Sequence, residues 1–192
     1  MRVIAGELRG STLKAPRGMA TRPTSSMVRE AVFNHLAHGP LAGGFDDLEV
    51  LDLFAGSGAL GIEALSRGAR RSTFVDRAPA AIVCIKENLD RLRIAARAAV
   101  VTGVVPRDLA RLPCRDVGLV FCDPPYRTTP AAPILEQLVA SGIVARDAVV
   151  VWEDAADALP MPPARWEQTF RRAWSDTGVV VWCRRDDTPG SL

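Results

Sequence analysis

Four consecutive residues, Asp123-Pro124-Pro125-Tyr126, set a carboxylate, two prolines and an aromatic ring directly after the apolar run 117–122. A run of that kind, bounded by turn residues, reads as a buried strand. Two prolines in succession cannot donate to a sheet ladder, so the chain must leave the sheet there as a rigid extended loop. Such a loop offers the Asp123 carboxylate and a main-chain carbonyl as acceptors, with the Tyr126 ring beside them. A flat heterocycle carrying an exocyclic amine needs those features: two acceptors for the amine hydrogens and a face to stack on. The bland alternative is a stiff turn with Tyr126 as its packed lid.

A second constellation lies upstream. Residues 48–54 read as a strand and Ala55-Gly56-Ser57-Gly58-Ala59-Leu60-Gly61 as a glycine turn opening a helix. The spacing of Gly56, Gly58 and Gly61 lets a backbone turn tightly and approach a nucleotide closely, with the free N–H groups of the helix start facing it. A further strand, 71–75, delivers Asp76, 20 residues after Gly56. That is the spacing at which a carboxylate captures ribose hydroxyls. The same glycine pattern suits a nicotinamide dinucleotide. Asp52 discriminates, because an anion just before the loop repels a pyrophosphate but favours the ammonium and sulfonium of S-adenosylmethionine. The bland reading of Asp52 is a carboxylate that braces the loop or caps the helix.

The elements that must position these groups alternate. Strands at 48–54, 71–75, 98–102, 117–122 and 148–152 are interleaved with helices at 58–67, 79–93 and 131–141, which implies a parallel sheet covered on both faces. Segments 165–174 and 179–184 flank Ser175-Asp176-Thr177-Gly178, a hairpin signal. An antiparallel pair closing a parallel sheet is the pattern of a Rossmann-like methyltransferase fold. In such sheets ligands bind beyond the carboxyl ends of the strands, near the point where strand order reverses. The glycine loop and the Asp-Pro-Pro-Tyr loop would meet there.

Before this core, residues 1–44 read as an extension. Segments 2–6 and 11–15 form a hairpin around Arg9-Gly10, 17–23 is a loop, and Thr24 or Ser25 caps a helix to about Leu36 with Val28, Val32 and Leu36 on one face. The glycine-rich connector 39–44 is the one plausible boundary, the core runs over 45–187, and 188–192 is a tail. Residues 1–30 hold six basic side chains against two acids, while the other 162 carry 18 against 20. A basic arm on a near-neutral body suits a phosphate backbone, or is only a solvated surface.

With 192 residues, 48% of them hydrophobic, the chain can build one sizeable core. No apolar stretch approaches the roughly 20 residues of a membrane helix, and no secretory signal is visible, so a cytoplasmic protein is expected. Cys84, Cys114, Cys122 and Cys183 form no CxxC pair, and His35 and His38 are the only histidines. This argues against zinc and against a disulfide framework. No metal is expected.

From about Arg2 to Arg184 the chain resembles the bacterial small-subunit ribosomal RNA guanine-N2 methyltransferases. The resemblance lies in Arg2-Val3-Ile4-Ala5-Gly6 with Arg9-Gly10, in Arg22-Pro23-Thr24, Arg29-Glu30 and Phe33-Asn34, in residues 51–68, and in Asp123-Pro124-Pro125-Tyr126-Arg127. The core motifs are shared with many nucleic-acid amine methyltransferases; the Arg-Pro-Thr and Phe-Asn segments are more specific. The chain departs from the family pattern at Ser11, Thr12, Ser26 and Met27, where the family has more charge, and this thins the basic arm.

The resemblance implies a methyl transfer from S-adenosylmethionine to a guanine amine, with Asp123, Pro124, Pro125 and Tyr126 as the catalytic loop. Asp52 would hold the ammonium, the backbone from Phe54 and Ala55 through Gly56, Ser57 and Gly58 the methionine end, and Asp76 with Arg77 beside it the ribose. An adenine contact falls within 103–108, with Asp108 the candidate. Arg2, Arg9, Arg22, Thr24, Arg29, Asn34 and Arg127 would contact RNA, although an exposed helix residue is an equally good reading of Arg29. The implied partner is ribosomal RNA within a small subunit or an assembly intermediate, bound by a monomer. Other classes using the same tetrad are a DNA amine methyltransferase, a protein-glutamine methyltransferase, and an RNA-binding assembly factor with a dead cofactor pocket.

Overall fold

A computed structural model describes residues 1–16 and 26–185. Arg22, Thr24, the expected helix cap and the tail lie outside the described residues. Its frame is a seven-stranded sheet of order β3-β2-β1-β4-β5-β7-β6. The strands are β1 (Glu49–Leu53), β2 (Arg71–Asp76), β3 (Ala98–Thr102), β4 (Val117–Cys122), β5 (Val144–Ala155), β6 (Trp166–Trp174) and β7 (Thr177–Arg184). Strands β1 to β5 pair in parallel, whereas β7 runs antiparallel to both β5 and β6. Strand order reverses between β1 and β4, where Leu53 pairs with Cys122. This is the Rossmann-like sheet with an antiparallel closing hairpin.

The strand sequences follow from where they lie. Strand β4 is buried along its length except at Gly118, hence its unbroken apolar run. Edge strand β6 exposes most of its residues. The described helices are α1 (Ser26–His38), α2 (Ala59–Ser66), α3 (Pro79–Leu92) and α4 (Ala131–Ala140). Helix α3 opens on Pro79, whose missing N–H costs nothing in the first turn, and ends at Arg93 in the left-handed region (φ 58°).

Strand β5 is longer than the expected 148–152. The extra residues at its end include Glu153 and Asp154, charged yet both buried. The N-terminal hairpin is slighter than expected, with a single bridge between Arg2 and Thr12. Val3 N–H to Ser11 O, Gly10 N–H to Val3 O and Leu13 N–H to Met1 O complete the pairing at 2.8–3.0 Å.

The described residues of 1–44 pack into the clusters of the main body. Val28, Val32, Phe33 and Leu36 of α1 pack with Phe45, Val50, Phe121 and Val181 of the sheet. Val3 and Leu13 of the arm join Ile62, Leu65, Phe74 and Ile85. The connector 39–44 follows α1, which packs on the sheet. Helix α2 is covered on both sides, by sheet and by arm, which is why Gly61 through Ser66 are all buried. At Gly6 (φ 81°) an added Cβ would fall 1.8 Å from Ser66 O, so only glycine lets the arm lie against α2.

The four cysteines are free, with Cys183 half-buried and the others buried. His35 stacks on Phe170 with centroids 4.6 Å apart, and His38 Nδ1 lies 2.9 Å from Asn34 O. Among the described residues no cluster of side chains could hold a metal, and no helix is long and apolar enough to cross a membrane.

Candidate active site

Two acids organise the glycine turn, and a third ties the arm to α2. Asp76, at the end of β2, accepts Gly56 N–H at 2.9 Å and Ala78 N–H at 2.8 Å, so one carboxylate ties the β1 and β2 loops together. Asp52, 2% exposed, accepts Gly61 N–H at 2.9 Å. Burial pushes its carboxyl up to about 8; the Gly61 N–H opposes the shift and the charge of Asp76 adds to it. The loop-bracing role raised for Asp52 is thus what its geometry displays, on a carboxyl that would gain from a nearby cation. Glu63, fully buried on α2, accepts Ile4 N–H at 2.8 Å and Ala5 N–H at 3.0 Å from the arm.

The glycines do different work. Gly56 and Gly58 have φ of 56° and 77° and turn the chain from β1 into α2. Gly61 serves packing: a Cβ there would lie 2.4 Å from Phe74 Cε1 and 2.6 Å from Ser72 Oγ. Asn88 holds the turn from behind, donating Nδ2–H to Ser57 O (3.0 Å) and Lys14 O (3.1 Å) and accepting Lys14 N–H at Oδ1 (2.9 Å). Sequence reasoning missed Asn88, although a polar residue on the apolar face of α3, beside Cys84, Ile85 and Leu89, was a signal.

The second loop leaves β4 at Asp123, half-buried, followed by buried Pro124 and exposed Pro125. Tyr126 Oη lies 2.9 Å from both Glu153 Oε1 and Thr177 Oγ1. Burial first, and then the carboxylates of Glu153 and Asp123, push the phenol well above its ordinary value, against the Thr177 hydrogen bond. The phenol is neutral at physiological pH and cannot serve as a base. Arg127 donates its backbone N–H to Asp154 Oδ1 at 2.9 Å, and its guanidinium pairs with Asp157.

The two loops open into one cleft of about 840 Å³, within the range of small-molecule sites. Its walls include Asp52, Phe54, Ala55, Gly56, Ser57, Asp76 and Arg77 on one side, and Asp123, Pro124, Pro125, Tyr126 and Glu153 on the other. Gly103, Val104 and Val105 after β3 and Met1 and Arg29 from the N-terminal side also line it. Gly58 is not among the lining residues. Glu153 and Thr177 were missed because the β5 strand was read as ending at Trp152 and Thr177 as part of a turn.

Several expected residues stand elsewhere. Asp108 is not among the lining residues: its carboxylate takes Val104 N–H at 2.8 Å and the Arg107 guanidinium, which with that N–H holds it near pH 2, so it braces the loop whose backbone faces the cleft. Arg29 does line the cleft, but is 1% exposed rather than a surface residue. Its guanidinium donates to Arg2 O and sits 3.7 Å from Met1 Sδ and 3.9 Å from Glu63 Oε2. Burial lowers its pKa while Glu63 raises it. Arg2, Arg9 and Asn34 are exposed and outside the cleft lining, and Arg127 is exposed but paired.

The family model described as conserved hypothetical protein 95 matches residues 1–183. The chain belongs to that family. YlbH of Bacillus subtilis is 38% identical over 188 residues, 96% of this chain and 100% of the relative. The ribosomal RNA small subunit methyltransferase D of Escherichia coli is 37% identical over 167 residues, 86% of this chain and 81% of its own. The solved structure of the Escherichia coli protein yhhF superimposes with a TM-score of 0.82 at 32% identity, covering 97% of this chain and 99% of that one. As a member of this family the protein is a methyltransferase, and the shared cleft is its candidate active site.

Proposed function

We propose that this methyltransferase moves a methyl group from S-adenosylmethionine to the exocyclic N2 amine of a guanine in small-subunit ribosomal RNA. The observation that carries the reading is the meeting of the glycine loop and the Asp-Pro-Pro-Tyr loop in a single cleft. The relatives named as small-subunit ribosomal RNA methyltransferases supply the substrate class.

The residues present fit the methyl donor. A buried carboxyl raised to about 8, Asp52, stands where a nearby cation would favour its ionised form. Asp76 is half-buried on the cleft wall, able to accept ribose hydroxyls beside its two backbone bonds. The backbone from Phe54 to Ser57 would hold the methionine end, Arg77 flanks the ribose, and Gly103 to Val105 would line the adenine. When bound, S-adenosylmethionine supplies an electrophilic methyl group and a sulfonium leaving group.

The chain itself supplies alignment and acceptors. A guanine amine is a poor nucleophile because its lone pair is delocalised into the ring. Asp123 and the Pro124 carbonyl would accept its two hydrogens and favour a more tetrahedral nitrogen. The ring of Tyr126 would stack on a base turned out of any helix. Arg2, Arg9, Arg22, Thr24 and Asn34 remain the proposed RNA contacts, on a monomer acting in the cytoplasm on a small subunit or its assembly intermediate.

The experiment is incubation with labelled S-adenosylmethionine and undermethylated small subunits, followed by mapping of the modified base. A single N2-methylated guanine is expected, with transfer falling by orders of magnitude in Asp123→Ala while cofactor binding persists. Methylation of naked duplex DNA in preference to the subunits, or RNA binding without cofactor binding, would overturn the proposal.

A further inference from the structure

We propose that Glu153, together with Thr177, is a positioning residue for the target base: the two clamp the hydroxyl of Tyr126 and so set the plane of its ring. The inference rests on the stacking role proposed above for Tyr126. Both oxygens stand 2.9 Å from the phenol oxygen. A phenol has one proton and an ionised carboxylate can only accept, so the proton lies toward Glu153 and the Thr177 hydroxyl donates to the phenol. The chain of hydrogen bonds therefore has one direction, from Thr177 through Tyr126 to Glu153.

Two partners on one phenol oxygen deprive the ring of the freedom to swing out of the cleft. Holding a stacking surface before the substrate arrives removes an ordering cost from the reactive complex. The clamp comes from parts of the fold that the reaction otherwise leaves idle. Glu153, 6% exposed, sits near the end of β5, and Thr177 is the first residue of β7. The antiparallel register that pairs Ala155 with Thr177 and Glu153 with Val179 brings them to the same phenol. The adjoining Arg127 is latched to the same stretch, by its N–H on Asp154 and its guanidinium on Asp157.

The chain contains a single tyrosine, so the pH-dependent near-ultraviolet absorbance change of phenolate formation reports this phenol and no other. In the wild type the phenol should resist ionisation well beyond the range of a free tyrosine, and in Glu153→Gln it should titrate at lower pH, closer to about 10. In methyl transfer, Glu153→Ala and Thr177→Val should each lower kcat/KM for RNA about ten-fold or more. The cofactor dissociation constant should stay within about two-fold, since neither side chain is assigned to that half of the cleft. Glu153→Gln, whose amide oxygen can still accept the phenolic proton, should retain most of the activity.

In a Tyr126→Phe background, Glu153→Ala should add little further loss, because its effect passes through the missing hydroxyl. Additive losses in that cycle, or a phenol that titrates in Glu153→Gln as in the wild type, would overturn the clamp. A wild-type protein that methylates no RNA would instead sink the proposed reaction, and the titration would still decide the clamp.

Discussion

Replacing Glu63 by alanine removes the centre of the arm's attachment. The carboxylate is fully buried and serves four partners: Ile4 N–H at 2.8 Å, Ala5 N–H at 3.0 Å, Arg67 Nε at 2.9 Å and the Arg29 guanidinium at 3.9 Å. Without it, Arg29 keeps a buried positive charge with no counter-ion, and two arm amides lose their acceptor. Removing one partner of a buried ion pair costs about 3–5 kcal/mol. The stranded amides would add about 1–3 kcal/mol each if they stayed dry, but the arm can lift and admit water, so the ion-pair figure sets the scale. For a chain of this size each kcal/mol lowers Tm by about 2–4 °C, giving a fall of about 6–20 °C.

Urea unfolding and a thermal scan measure the total, and amide exchange locates it. Ile4 and Ala5 should lose protection before β1 does, because the arm can detach while the sheet persists. A Glu63→Met, Arg29→Met double variant should recover much of the loss, since an apolar pair leaves no charge unmatched. A loss below about 1 kcal/mol in Glu63→Ala, with exchange at Ile4 and Ala5 unchanged, would refute the reasoning.

Three further outcomes are expected. Asp76→Ala should weaken S-adenosylmethionine binding by about 1–3 kcal/mol in calorimetry, and also loosen the Gly56 and Ala78 amides in exchange; intact affinity would reject its ribose role. Asp52, with a folded pKa of about 8 above its unfolded value, favours the protonated form in the fold, so its contribution is full at pH below about 4 and is lost as pH rises towards 8. Against Asp52→Asn, wild-type stability should therefore fall across that window by up to about 1.4 kcal/mol per pH unit, and parallel pH curves in urea unfolding would contradict the shift. Gly61→Ala should destabilise by about 1–3 kcal/mol through the clash with Phe74, read as a lower urea midpoint, whether or not cofactor is present.

Much of the frame was legible in the chain because its signals are local. Strands buried on both faces become apolar runs, as in β4, and positions that need a left-handed backbone become glycines, as at Gly56 and Gly58. The closing hairpin announced itself by its turn residues, and the Asp-Pro-Pro-Tyr loop by two prolines that no strand can hold. Charged side chains misled wherever a distant partner neutralised them. Arg29 reads as surface because nothing near it in sequence accounts for its burial; its acceptor Arg2 O comes from the arm and its counter-ion Glu63 from α2. Glu153 reads as loop until Tyr126 and Thr177 are seen around it. Asp108 has the right place in the order of motifs, but its neighbours Val104 and Arg107 occupy the carboxylate.

The sequence by itself determined the order of elements, the two loops and the residue types that could hold a methyl donor beside a planar amine. Only the tertiary structure decided what each carboxylate holds: Glu63 the arm, Asp108 its own loop, and Glu153, on the cleft wall, the phenol. The reason is physical. Periodicity and turn preference are written within a few residues, whereas a buried polar group is stabilised by whatever donor or acceptor the fold brings to it, and that partner can lie anywhere in the chain.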